Sequence, residues 1–287
     1  MDQFSNAEAS DPTDRHPLAD PDWHSPLMSQ KIRFMTLRSL TALGALLACI
    51  LAATPQSQVA AAGVPESTPF GGASRVGAIF GASAGRPDHH FCSGAVVDSP
   101  SRNIVVTAAH CVIGAGTDRA RGGLTFVPGY HDGQRPFGTW SVATVVADVA
   151  WTTRGSTDDD VAFLILRPDA AGHRIQDTTG AEALSFNPAP GTRAVTVGYP
   201  SRTERPVFCA STLRALNAHQ LEFDCPGLPG GTSGGPMLTG ADAGRGRGAV
   251  VGVIGGYEEG GDTDDVSYSS YFGAAIAAVY RAALAHG

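Results

Sequence analysis

The sequence predicts a mostly β chain built from short antiparallel strands, closed as barrels or stacked as a sandwich. Three observations carry this. Glycine occurs 36 times in 287 residues, about one in eight against a typical ~7%, and glycine is costly inside helices. Short apolar runs rich in β-branched residues recur from Val76 onward, each bounded by Gly, Pro, Asp or Asn. Helical spacing is clear in one segment only, Phe272–Leu284, where Phe272, Ile276, Val279, Tyr280 and Leu284 recur on one face.

Taken in order, residues 1–30 are polar and proline-bearing, without apolar periodicity, and read as a disordered extension. Residues 31–62 read as a secretory signal. Lys31, Arg33 and Arg38 precede the apolar run Leu40–Ala53, and the small residues Val59–Ala62 follow it. That run falls short of the ~20 residues a spanning helix needs, so no stable membrane anchor is expected once the signal is removed. Residues 63–75 form a candidate propeptide ending at Arg75-Val76.

The expected strands are Val76–Phe80, Gly94–Val97, Ile104–Thr107, Leu124–Val127, Ser141–Val146, Val161–Leu166, Ala194–Val197 and Ala249–Ile254. Turn residues at Asp177–Gly180 and Pro188–Gly191 suggest a division into two halves of ordinary domain size, 76–180 and 181–287.

A net charge of −7 argues against a nucleic-acid partner, which calls for a basic face. Removing the signal leaves Cys92, Cys111, Cys209 and Cys225. An even count in an exported chain suggests two disulfides, and three connectivities are open.

Two segments carry chemistry. Thr107-Ala108-Ala109-His110-Cys111 follows a strand, and Gly231-Thr232-Ser233-Gly234-Gly235-Pro236 precedes one. A serine hydroxyl needs a hydrogen-bonded base to become a nucleophile, and a histidine base needs a carboxylate to fix its tautomer. Glycines around the serine allow a tight turn whose N–H groups converge on one oxyanion, here those of Gly231 and Ser233.

TAAHC and GTSGGP, in this order, resemble the trypsin/chymotrypsin-like serine peptidase family, and most nearly its bacterial secreted, glutamyl-endopeptidase-like branch. His90–Val97, Asp158–Leu164 and Val251–Gly261 extend the likeness from about Val76 to the C-terminus. The resemblance implies two six-stranded antiparallel β-barrels, with a C-terminal helix. The first barrel (76–180) carries His110 and Asp160, and the second (181–287) carries Ser233. It also implies a Cys92–Cys111 bridge stapling the histidine turn, with Cys209–Cys225 bracing the approach to Gly231.

Two aspartates compete for the acid. Asp160 leads directly into Val161–Leu166, where the family places its acid. Asp148 is followed by Trp151-Thr152-Thr153-Arg154, which reads as a strand end. Asp160 is therefore the expected acid, with Asp158 and Asp159 as solvated loop charges. His89, His90, His131, His173, His219 and His286 lack a comparable frame and read as surface or packing residues. Ser93 and Ser267–Ser270 read as strand or turn positions.

The chain departs from trypsin where Thr232 precedes the nucleophile instead of an aspartate. Gly227 and Ile254 stand where relatives carry charge-selecting residues, and with Gly255 and Gly256 they are candidate walls of a specificity pocket. The expected protein is a secreted monomer that hydrolyses protein or peptide substrates through an acyl-enzyme, with no metal or cofactor. Two other readings compete. An α/β-hydrolase elbow (G-x-S-x-G) needs a histidine after the serine, and only His286 follows Ser233. An inactive secreted homologue would use the same barrels as a binding module.

Overall fold

The β-branched runs become strands throughout the computed structural model, which describes residues 65–81, 89–241 and 247–287. The described residues belong to one unit, Val59–Gly287. The expected extension (1–30) and signal (31–62) lie outside the described residues, as do Gly63 and Val64.

The first half contains β1 (Thr68–Pro69), β2 (Val76–Phe80), β3 (His90–Val97), β4 (Ile104–Thr107) and α1 (Ala109–Val112). It continues with β5 (Thr125–Pro128), β6 (Trp140–Ala147), α2 (Val149–Arg154), β7 (Ala162–Leu166) and α3 (Ile175–Thr179). The second half contains β8 (Ala183–Leu184), β9 (Arg193–Gly198), β10 (Val207–Ala215) and β11 (Gln220–Asp224). It ends with β12 (Pro236–Thr239), β13 (Ala249–Val253), β14 (Val266–Ser270) and α4 (Ala274–Leu284).

Strands β2-β3-β4-β7-β6-β5 close into a six-stranded barrel. The second sheet runs β14-β11-β10-β9-β12-β13-β8, with β1 added along β10. It curls until β13 approaches β14, where the Gly255 N–H donates to Tyr268 O at 2.9 Å and the Val253 N–H to Ser269 Oγ at 3.0 Å. A backbone bond and a hydroxyl, rather than a full ladder, join these two strands.

Barrel strands β2 and β7 are buried on both faces. In β2, Val76, Ala78 and Phe80 join a cluster shared with Val195, Val197 and Tyr199 of the second half, whereas Ile79 joins the barrel's own core. In β7, Phe163 and Ile165 face the shared cluster, and Leu164 and Leu166 face the barrel core. Successive side chains point to opposite sides, and both sides are covered.

Helix α4 extends that cover. Ile276, Val279 and Ala283 are buried at helical spacing, and Tyr280 donates to Asp98 O at 2.7 Å. The helix therefore seals the first barrel although it belongs to the second half of the sequence.

One local expectation is corrected. The expected strand end at Trp151–Arg154 is instead the C-terminal part of α2: Asp148, directly after β6, caps that helix, its carboxylate accepting the Ala150 N–H at 2.6 Å. Its oxygens are directed at that helix, not at the histidine turn. Among the described residues no helix is long and apolar enough to cross a membrane.

Candidate active site

His110 stands in the short helix α1, directly after β4. Asp160 precedes β7, whose ladder with β4 pairs Thr107 with Ala162 and so fixes the two loops side by side. Asp160 is fully buried. Its Oδ1 accepts the backbone N–H of His110 at 2.8 Å, and its Oδ2 lies 2.7 Å from His110 Nδ1.

Two further contacts hold the acid. The Gly256 N–H donates to Oδ2 at 2.8 Å, and the Asp160 N–H donates to Ser270 Oγ at 3.1 Å. Burial of the imidazole opposes its cation. The charge and hydrogen bond of Asp160, helped by Glu259 and opposed by Arg121, outweigh burial and hold the His110 pKa above the usual histidine value.

Ser233 lies at the tip of a turn between β11 and β12. Ser233 and His110 line one cavity of about 250 Å³, together with Phe91, Cys92, Cys111, Arg121 and Glu259. No hydrogen bond joins Ser233 Oγ to His110 among the described residues; Nε2 lies 3.6 Å from Cys111 Sγ. Such contacts commonly tighten only when substrate binds.

The backbone of the turn is almost fully paired. Thr232 N–H donates to Pro229 O at 3.1 Å, Gly234 N–H to Ile254 O at 2.7 Å, and Gly235 N–H to Thr232 O at 2.9 Å. Among the described residues, the N–H groups of Gly231 and Ser233 have no protein acceptor. Gly234 has a φ of +79°, and a Cβ there would collide with Thr107 Oγ1 and Ser93 O. This turn can close against the first barrel only with glycine at that point.

Both disulfides join neighbours in sequence, Cys92 to Cys111 and Cys209 to Cys225. Cys92, His110 and Cys111 are a group of metal-type donors within 4.8 Å of one another. Their sulfurs are tied in the bridge, which leaves no thiolate for a cation.

The expected pocket residues have other surroundings. Gly227 faces Ser67, whose Oγ donates to its carbonyl at 2.5 Å. Ile254 is buried in the core of the second sheet. Gly255 and Gly256 pack against Asp160. None of these four lines the cavity at Ser233.

Of the remaining histidines, His90 is buried among Phe80, Tyr130 and Tyr199, and burial pushes its pKa down. His173 pairs with Asp169 on the surface. Asp158 accepts from the buried Gln220 side chain at 2.8 Å. Asp159 is half-buried, and burial raises its pKa. The reading of both as solvated charges therefore holds only for the exposure of Asp158.

Sequence reasoning missed Ser93, a fully buried hub. Its N–H donates to Ser233 O at 2.7 Å, and its hydroxyl donates to Gly231 O at 2.9 Å while accepting the Tyr199 N–H at 2.8 Å. Glu259 was also missed as a lining residue. It follows Glu258 in a left-handed conformation (φ +51° for each) that turns it toward the cavity.

Comparison with known proteins places this geometry. Residues 92–253, more than half of the chain, match the family described as trypsin-like peptidase domain. Curated protein sequences give no match. Among solved structures, protease Anisep from Arthrobacter nicotinovorans is 26% identical with a TM-score of 0.66, covering 76% of this chain and 99% of its own. The thermostable serine protease AL20 from an extremophilic microorganism is 25% identical with a TM-score of 0.66, covering 75% and 99%. A Glu endopeptidase shares the fold at 17% identity and a TM-score of 0.60, covering 78% and 98%. Matched over its histidine turn, its serine turn and the strands between them, the chain belongs to the trypsin-like peptidase domain family and is a serine-type peptidase.

Proposed function

We propose that the protein is a secreted endopeptidase in which Ser233 attacks the peptide carbonyl, His110 takes its proton and Asp160 orients the imidazole. The observation that carries this reading is the double contact of Asp160 with His110 beside a serine turn in which the Gly231 and Ser233 N–H groups have no protein acceptor among the described residues.

Each group has a defined task. With Nδ1 held by Asp160, the Nε2 lone pair faces the cavity and accepts the Ser233 proton. The Gly231 and Ser233 amides stabilise the tetrahedral oxyanion. His110 then returns the proton to the leaving amine, which places the leaving peptide on the histidine side, along the disulfide and Phe91. Water repeats the sequence and frees the acyl group.

The signal-like segment 31–62 and the two disulfides support export, where thiols oxidise. The substrates are proteins or peptides, and the chain acts as a monomer without nucleic acid, metal or cofactor.

The test is labelling by a fluorophosphonate. The parent protein is expected to react stoichiometrically, and Ser233→Ala to be inert both in labelling and in casein hydrolysis. Undiminished labelling of Ser233→Ala would remove that serine from its role. A parent that neither labels nor hydrolyses would be the inactive binding homologue instead.

A further inference from the structure

The turn that presents Ser233 is held from outside at two carbonyls. Gly230 O accepts both the N–H of Ser201 at 2.9 Å and its hydroxyl at 3.0 Å. Gly231 O accepts the hydroxyl of Ser93 at 2.9 Å. A trans peptide sets its C=O and N–H in opposite directions. Fixing Gly230 O toward Ser201 therefore turns the Gly231 N–H away from it, and this amide has no protein acceptor among the described residues. Fixing Gly231 O sets the plane on the other side of the same residue.

Gly231 has a φ of +101°, and a Cβ there would collide with Ser201 N and Tyr199 O, so only glycine fits this close approach. No charge within the turn does this work. Thr232, which precedes the nucleophile, turns its hydroxyl onto Pro229 O at 2.8 Å.

The two serines come from different halves of the molecule. Ser93 is in β3 of the closed barrel, and Ser201 follows β9 of the second sheet. Ser93 is saturated: its hydroxyl also accepts the Tyr199 N–H, and its N–H holds Ser233 O.

We propose that Ser93 and Ser201 are positioning residues for the oxyanion amide. Their hydroxyls clamp the carbonyls on either side of Gly231 and so keep its N–H aimed at the developing negative charge. The clamp is complete in the folded chain and needs no newly freed terminus. This rests on the reading of Ser233 as nucleophile and adds to it the groups that keep the oxyanion site formed before substrate arrives.

The test compares Ser201→Ala, Ser201→Thr and Ser93→Ala with the parent and with Ser233→Ala. Four quantities are measured: kcat and KM on a peptide chosen by library cleavage, the second-order rate of fluorophosphonate labelling, and Tm. Ser201→Ala keeps the backbone bond to Gly230 O, so kcat is expected to fall roughly threefold to tenfold with KM unchanged. Labelling should slow in parallel and Tm should hold. Ser201→Thr, which keeps the hydroxyl, should restore both rates. Ser93→Ala should lower kcat and labelling by roughly tenfold or more.

Parent-level kcat in folded Ser201→Ala and Ser93→Ala would overturn the proposal. So would losses confined to KM, or a Ser201→Thr no better than alanine. Should Ser93→Ala fail to fold, the Ser201 pair decides alone. The control separates the two levels: an active Ser233→Ala sinks the nucleophile assignment, whereas an inert one beside unimpaired Ser201 and Ser93 variants sinks only the clamp.

Discussion

Asp160 holds His110 at two points, through the backbone N–H at 2.8 Å and through Nδ1 at 2.7 Å. The carboxylate therefore sets both where the histidine turn lies and which ring nitrogen is free. Asp160→Asn keeps the shape but presents an NH2 group to one of the two donors, which disfavours the required tautomer. Turnover is expected to fall by about ten-thousand-fold, the scale of such a change in a serine-histidine-aspartate triad. Asp148→Asn should leave turnover and Tm near the parent values, because asparagine caps α2 as well as aspartate does. Steady-state kinetics of the two variants decide this, and the reverse ranking would move the acid to Asp148.

The raised pKa of His110 gives a pH dependence with a definite sign. Burial works against the ring's cation, and the charge of Asp160 overrides it. In the proposed mechanism His110 is the base and must be neutral, so kcat/KM should rise with pH through a value above 6.5. Stability moves the other way. A group whose folded pKa is raised contributes fully below the ordinary value and loses that contribution as pH climbs through the folded value. Glu259→Gln removes a contribution that raises the pKa and should shift the acid limb to lower pH. Arg121→Gln removes one that lowers it and should shift the limb upward. Both side chains are exposed, so salt should shrink both shifts.

The sequence made much of this site legible, and the limits have a physical cause. Strands β2 and β4 coincide with their apolar runs because both faces are buried, leaving no polar interruption. Strand β14 carries no apolar run because Val266–Ser270 buries three serines, two of them held by side-chain hydrogen bonds. Ser269 Oγ accepts the Val253 N–H, and Ser270 Oγ accepts the Asp160 N–H. Strands β10 and β11 interleave buried positions with half-buried or exposed ones and so lack an apolar run. His110 and Ser233 were readable because each chemistry demands a local frame, alanines and a cysteine in one case and glycines in the other. Ser93 and Ser201 reach their carbonyl partners across more than a hundred and about thirty residues of chain, respectively, and nothing beside them in sequence marks those contacts.

The two disulfides close loops of similar span, with separations of 19 and 16 residues. In the chain-entropy account each contributes roughly 3 kcal/mol. Removing either pair by double alanine substitution should therefore lower the denaturation midpoint by comparable amounts. Activity should separate them. Cys92 adjoins Ser93 and Cys111 adjoins His110, so loss of that bridge would free both the proposed clamp and the proposed base. Specific activity of the folded fraction is expected to fall much further for Cys92→Ala/Cys111→Ala than for Cys209→Ala/Cys225→Ala. Equal specific activities would show that the first bridge contributes stability alone.

The processing point suggested by Arg75-Val76 meets a built structure. Arg75 Nε lies 3.0 Å from the buried carboxylate of Glu182, and Arg75 O accepts the Val96 N–H at 2.8 Å. Val76 is fully buried, and its carbonyl accepts from the Gly129 N–H at 2.9 Å and the Tyr199 hydroxyl at 3.1 Å. Upstream, β1 pairs with β10, and the Ser67 N–H donates to Pro226 O at 2.9 Å. A protease requires an exposed, extended segment, which this bond offers only after local unfolding. N-terminal sequencing of the secreted protein is therefore expected to find the Arg75–Val76 bond intact, with residues 65–75 retained. A chain engineered to begin at Val76 should have a lower Tm, because it loses β1 and the Ser67 brace on Gly227. A fully active secreted form beginning at Val76, with undiminished Tm, would contradict this and restore residues 63–75 as a propeptide.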